Sequence, residues 1–196
     1  DFEVNAKSSS LASFEGLENL ETIGGNFKVI AESSFKGLNG LKSIGGDFEV
    51  NANSSLESFE GLESLETIGG NFKIIDNKSS LNALSSFKGL SSLKSIGGDF
   101  EVKARVLESF EGLENLTNIG DKLTIKGCSS LNNIDALKNI ESLNDISITT
   151  CSKLYDFCVL KNVVQNMSGT FYVNDNGYNP TKYQLLNGEC SQIPQE

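Results

Sequence analysis

The chain is 196 residues long, enough for one domain, with 16 Lys and Arg against 26 Asp and Glu and a formal charge of −10. With Arg105 as the single arginine, it lacks the clustered cations that grip phosphate backbones or anionic bilayers, so no nucleic-acid partner is expected. Histidine is absent, which removes the commonest general base and metal ligand, and no apolar run approaches a transmembrane segment.

A strand motif opens the chain at Phe2-Glu3-Val4, an aromatic and a β-branched residue flanking an outward one. It recurs at Phe27/Val29, Phe48/Val50, Phe72/Ile74, Phe100/Val102 and Phe171/Val173, with Leu123/Ile125 and Ile146/Ile148 in the same slots. A second aromatic column holds Phe14, Phe35, Phe59, Phe87, Phe110 and Phe157, with Ile134 in register. A segment of about two dozen residues cannot bury its own apolar face, so it must stack on copies of itself. The expected class is an all-β-rich solenoid, a right-handed parallel β-helix of leucine-rich-repeat-like character with about eight coils. Residues 1–150 form the repeat solenoid; residues 151–196 form the last coil and an α-helical C-terminal cap.

The second column divides each coil. From it to the next strand the count is 13 five times in succession, then 12 and 14; from strand to column it is 12, 8, 11, 15, 10, 11 and 11. One half of every coil is therefore of fixed length and the other is a variable loop. In the fixed half, as in FEGLENLETIGGNF, apolar spacings of three and four could mean a helix. The glycine pairs at 24/25, 45/46, 69/70 and 97/98 argue instead for tight corners, where glycine supplies positive φ. Three short strand-like faces per coil follow, with at most single helical turns.

Outward positions alternate in charge. The mid-strand series is Glu3, Lys28, Glu49, Lys73, Glu101; before Gly-Leu it is Glu15, Lys36, Glu60, Lys88, Glu111; before the corner it is Glu21, Lys42, Glu66, Lys94. The true unit is thus a two-coil repeat beginning at Asp1, Asp47 and Asp99. Parallel stacking turns the alternation into opposite-charge ladders that penalise a one-coil slip, a structural reading preferred over a charged ligand track.

Beyond about residue 150 the composition shifts: Tyr155, Tyr172, Tyr178, Tyr183 and both prolines lie there. LYDFCVLKNVVQNM reads as a helix, GTFYVN as the last strand, and NPTKYQLLNG as a short helix with Asn179 as N-cap, Pro180 at N1 and Gly188 as stop. This tail covers the last coil. Nothing comparable covers Phe2 and Val4, so the first coil is expected to be exposed, paired with another chain, or preceded by further sequence.

The run LxxIxxxFxVxxN, as in LETIGGNFKVIAE and LKSIGGDFEVNAN, resembles a leucine-rich repeat stretched at the corner. It is most similar to receptor L-domains and to L-domain-like leucine-rich-repeat surface proteins of gut Bacteroidetes; the tail CSKLYDFCVLKN and GTFYVNDNGYNPTKYQLLNGECS resembles the cap of the bacterial group. The resemblance implies a β-solenoid, secretion, surface display through a lipid-anchoring leader outside this chain, and no catalytic residues. In that family an Asn or Cys after each strand bonds neighbouring coils; here the positions hold Lys7, Glu32, Asn53, Asn77, Arg105, Cys128, Cys151 and Asn176, so a continuous asparagine ladder is not expected.

Cys128 and Cys151 are 23 residues apart, the spacing of the strands they follow, so they stack within disulfide range and could equally be a bridge or two buried thiols. Cys158 and Cys190, both in the cap, are the favoured bridge among three connectivities. Neither pair has metal-ligand spacing, and no metal or other cofactor is expected. The carboxylates fall in regular exposed columns, whereas a glycosidase needs two in divergent environments within a cleft; the chain reads as a non-enzyme. VNDNGYN carries calcium-like donors, but Asn-Gly reads better as a hairpin turn. Sequons occur at Asn53, Asn77, Asn115 and Asn166.

The leading functional expectation is a non-catalytic extracellular recognition or scaffold module for a protein or glycan ligand. A fixed frame presents variable loops at Ile30 to Ser34, Asn51 to Glu57, Ile75 to Ser86 and Lys103 to Glu108. Candidate binding residues are Lys28, Ile30, Glu49, Asn51, Lys73, Ile75, Glu101 and Lys103, with Tyr172 and Tyr178 as candidates for stacking on sugar rings in a carbohydrate-adhesin alternative. A purely structural spacer is the third reading.

Overall fold

A computed structural model describes residues 1–5, 13–31, 34–52, 56–76 and 84–194. In chain order the strands are β1 (Phe2–Asn5), β2 (Thr22–Ile23), β3 (Phe27–Ala31), β4 (Ser43–Ile44), β5 (Phe48–Ala52), β6 (Thr67–Ile68), β7 (Phe72–Asp76), β8 (Ser95–Ile96), β9 (Phe100–Ala104), β10 (Asn118–Ile119), β11 (Lys122–Lys126), β12 (Asp145–Thr149) and β13 (Phe171–Asn174). They form an eight-stranded sheet, ordered β1-β3-β5-β7-β9-β11-β12-β13, and a five-stranded sheet, β10-β8-β6-β4-β2. All pairings are parallel and in the register set by the apolar columns: Phe27 faces Phe2 and Phe48, Phe72 faces Phe48 and Phe100, and Ile23, Ile44, Ile68, Ile96 and Ile119 line up along the short sheet. The result is a β-solenoid of about six turns, fewer than the eight expected from counting strand slots.

Two aromatic spines run through the core. Phe27, Phe48, Phe72 and Phe100 stack with ring centroids 5.0–5.1 Å apart and planes within 2° of parallel. Phe14, Phe35, Phe59, Phe87 and Phe110 form the second stack, at 5.0–6.1 Å. Between spines the rings meet edge-on, as for Phe59 and Phe72 at 5.9 Å and 71°. Offset stacking along a spine and edge contact across spines are the two arrangements the aromatic quadrupole favours. The interior rings are fully buried, so truncation of one to alanine costs about 3–5 kcal/mol.

The third side of the winding differs from expectation: it is not a strand but a pair of linked turns. Leu38 donates its amide to Phe35 and Leu41 to Leu38, at 3.0 and 2.9 Å, and the same pair recurs at Phe59-Leu62-Leu65 and Phe87-Leu90-Leu93. The spacing of three reflects this turn geometry, which carries Phe, Leu and Leu inward without a helix.

The glycines also play other parts than expected. Positive φ belongs to the glycine of Phe-x-Gly-Leu, such as Gly37 at 102°, and not to the Gly-Gly corner. The corner glycines serve close approach: a Cβ on Gly45 would meet the carbonyl of Gly24 one winding earlier at 2.5 Å, and Gly69 and Gly97 repeat the collision. The second glycine of each pair makes room for a side chain. A Cβ on Gly25 would lie 2.6 Å from the Asp1 carboxylate.

That side chain belongs to a ladder absent from the sequence reading. Asp1, Asn26, Asp47 and Asn71 each accept, through Oδ1, the amide of the next residue in the column: Asn26 at 2.9 Å, Asp47 at 2.8 Å, Asn71 at 2.7 Å and Asp99 at 2.8 Å. Asp145 does the same for the amide of Thr170 at 2.6 Å. In the family's ladder column, positions 7, 32, 53 and 77 lie outside the described residues. Asn176 there does bridge windings: it accepts from the Cys151 amide at 2.9 Å and donates to the Ile148 carbonyl at 2.9 Å.

The tail holds α1 (Lys161–Asn166), preceded by a 3₁₀ turn at Cys158–Leu160, then β13 and α2 (Lys182–Leu186). Thr181, not Asn179, caps α2, because Thr181 and Gln184 form a reciprocal capping box. The Asn179 carboxamide oxygen is occupied instead by the Asn176 amide at 2.9 Å. Asn176-Gly177 is not a hairpin turn, since among the described residues β13 pairs only with β12 and in parallel. Cys158 and Cys190 form a disulfide, whereas Cys128 and Cys151 are free and buried. Hydrogen bonding between those two thiols lowers the pKa of Cys128 and raises that of Cys151, which burial raises further.

Candidate functional site

Eight of the expected binding residues share the outer face of the long sheet. Alternation along each strand places Lys28 and Ile30 of β3, Glu49 and Asn51 of β5, Lys73 and Ile75 of β7, and Glu101 and Lys103 of β9 outward in two adjacent columns. Tyr172 continues the first column beyond Thr124 and Ser147 and is 51% exposed. Tyr178 lies elsewhere: it is half-buried in the cap, its hydroxyl donating to the Glu189 carbonyl at 2.9 Å.

The face is divided into two charge clusters. Lys28 pairs with Glu49 at 3.5 Å, and Glu49 accepts from the Asn51 side chain at 2.9 Å. Lys73 pairs with Glu101 at 3.4 Å, and Lys103 pairs with the same carboxylate. Partial burial raises the pKa of Glu101, but the hydrogen bonds and charges of Lys103 and Lys73 outweigh it and hold the carboxyl below its ordinary value. Ile30 and Ile75 are half-buried beside these clusters.

The other two charge columns close in the same way: Lys36 with Glu15 at 3.5 Å, Lys88 with Glu111 at 3.3 Å, Lys42 with Glu21 at 3.0 Å and Lys94 with Glu66 at 2.7 Å. Their carboxylates are engaged in register control. Three further acids cap turns: Glu18, Glu63 and Glu114 accept the amides of Gly16, Gly61 and Gly112 at 2.9–3.0 Å, and for Glu18 this contact lowers the pKa. Asp135 exchanges hydrogen bonds with Asn133 at 2.7 and 3.2 Å.

The variable segments all leave the same end of the long sheet. Residues 32–33, 53–55 and 77–83 of the first three proposed binding loops lie outside the described residues, as do the sequons at Asn53 and Asn77; Lys103 to Glu108 is described throughout. Among the described residues no group of three or more His, Cys, Asp or Glu could hold a metal ion, and no helix is long and apolar enough to cross a membrane.

Comparison of the chain with protein-family models, with curated proteins and with solved structures gives no match in any of the three.

Proposed function

We infer that the chain is a non-catalytic recognition module, displayed outside the cell or on its surface, that binds a protein or host-derived ligand along the outer face of the long sheet and the loops beside it. The observation that carries the reading is the division of labour within each winding. Phenylalanines, leucines and isoleucines fill the interior, the Asx ladder and paired charges fix the register, and the segments of varying length follow the C-terminal ends of parallel strands β1, β3, β5, β7 and β9. Such a frame holds side chains on adjacent strands about 4.8 Å apart, a spacing that a ligand can read across several windings without ordering cost in the frame. The Cys158–Cys190 bridge supports an oxidising compartment. The resemblance to Bacteroidetes surface proteins supports display through a lipid anchor.

The test is a binding screen of the immobilised chain against extracellular-matrix and serum proteins and a glycan array. Any hit is re-measured on a variant carrying Ile30→Ser, Asn51→Ala, Ile75→Ser and Lys103→Ala. Loss of binding with an unchanged melting temperature supports this face; full retention moves the site elsewhere. The carbohydrate-adhesin reading is favoured by one observation, the exposure of Tyr172 on the outer face of β13, and Tyr172→Ala on the glycan array isolates it.

A further inference from the structure

Along the outer face of the long sheet the pairing of charges stops at β9. Every described lysine from Lys28 to Lys103 is held in an ion pair. Arg105, one residue beyond β9, and Lys126, the last residue of β11, are exposed and make no ion pair among the described residues. Glu101, the single carboxylate in the two outward columns from β9 to β13, is already shared by Lys73 and Lys103. Lys122, at the other end of β11, follows Asp121, is the register partner of Asp145 and donates its amide to Asp99 at 3.1 Å, so no net positive charge gathers there.

Beside Arg105 and Lys126 the columns become neutral. Thr124 and Ser147 stand where alternation would continue with lysine and glutamate, Tyr172 follows them, and Thr149 and Asn174 follow Lys126. The side-chain hydroxyls of Thr124, Ser147 and Thr149 make no hydrogen bond among the described residues, and Tyr172 is 51% exposed. All of these positions lie within residues 84–194, which are described without a break, and the exposure of Lys126, Tyr172 and Asn174 shows that no part of that stretch folds over them.

The three chemistries specify one ligand. Two cations without a protein counter-charge, in a chain of formal charge −10, suit a carboxylate or sulfate, which a guanidinium grips through two parallel hydrogen bonds. Hydroxyls that both donate and accept suit the hydroxyls of a sugar, and an exposed aromatic ring suits the apolar face of a pyranose. Two strand spacings separate the Thr124 and Tyr172 positions, about 10 Å, the span of a disaccharide.

We propose that the outer face of β11, β12 and β13 binds an acidic saccharide, with Arg105 and Lys126 on its anionic group, Ser147 and Thr149 on its hydroxyls and Tyr172 stacked on a ring. The site rests on the reading of the long sheet's outer face as the recognition surface, and it gives that surface a ligand class.

Calorimetric titration of the whole chain with hexagalacturonate, its full methyl ester and a heparin hexasaccharide tests it. At least one of the two acidic probes is expected to bind with Kd below about 1 mM, and the neutral ester at least about tenfold more weakly than hexagalacturonate if that is the ligand. Arg105→Gln with Lys126→Gln, two exposed changes checked by melting temperature, is expected to weaken acidic binding by about tenfold or more. Tyr172→Ala is expected to weaken it by about fivefold or more, which a purely electrostatic attraction would not show. Absence of binding by both acidic probes up to about 10 mM, a hexagalacturonate affinity equal to that of its ester, or acidic binding unchanged in either variant overturns the proposal. If a protein ligand from the screen is lost with the β3–β9 variant while no saccharide binds, the acidic-saccharide site alone falls; if neither binds, the recognition reading falls with it.

Discussion

Asn71 donates its backbone amide to the Asp47 carboxylate at 2.7 Å, across one winding of the solenoid. Asp47 donates its own amide to Asn26 at 2.8 Å, so each Asx residue is acceptor for one neighbour and donor to the other. The contact sits just before the strand phenylalanines and sets their height along the axis. Replacing Asp47 by alanine removes the acceptor and leaves the Asn71 amide to water. The expected loss is about 1 kcal/mol, measured by urea denaturation, with Asp47→Asn close to neutral.

The corner glycines give a prediction with an internal control. Gly69→Ala drives a methyl group into the Gly45 carbonyl and is expected to cost about 1–3 kcal/mol. Gly24→Ala, the same column in the first winding, meets nothing within 4 Å and is expected to be neutral or slightly stabilising. Thermal melts of the two variants should therefore diverge; equal shifts would contradict the close-approach account.

Phe72 contacts Phe48 and Phe100 at 5.0 and 5.1 Å along one spine, and Phe59 and Phe87 across to the other. Phe72→Ala is expected to destabilise by about 3–5 kcal/mol. Phe72→Leu keeps much of the volume and is expected to lose less, the difference being read from denaturation midpoints.

The carboxyl of Glu101 titrates below its ordinary value in the folded chain. A depressed folded pKa contributes stability that is present above the unfolded value, near 4.5, and is lost as pH falls through the folded value. Lys103→Met is expected to shift the Glu101 titration, followed by carbonyl NMR, upward. It should also flatten the fall in stability below about pH 4.5. An unchanged titration would show that the Lys103 contact does not persist in solution.

Much of this architecture is legible before any coordinates. The recurrence of Phe-x-Val and of the second aromatic column dictates stacking, because no single winding can bury those rings. The sign alternation of Glu3, Lys28, Glu49, Lys73 and Glu101 anticipates parallel pairing, and Lys28–Glu49 and Lys73–Glu101 are found as ion pairs. What escaped is local geometry. Glycine pairs suggest positive-φ corners because composition reports what a residue permits, whereas Gly45 and Gly69 are needed for the space they leave to the neighbouring carbonyl. The Asx ladder escaped because Asp1, Asn26, Asp47, Asn71 and Asp99 alternate between two residue types, although their shared place before each phenylalanine was a usable signal. Cap identity turned on competition: Thr181 with Gln184 offers two hydrogen bonds where Asn179 alone offers one. The outer face is legible as a set of outward columns, whereas the loop sequences beside it follow no periodicity.

The stacking of windings is tested most directly by pulsed electron–electron resonance. One spin label replaces Lys28 and the other replaces, in turn, Thr124, Ser147 and Tyr172, with Cys128 and Cys151 changed to alanine. These positions occupy one outward column, four, five and six strands from β3. The account predicts mean separations rising in even steps, roughly 19, 24 and 29 Å at about 4.8 Å per strand. Distances that do not increase along this series would contradict the solenoid.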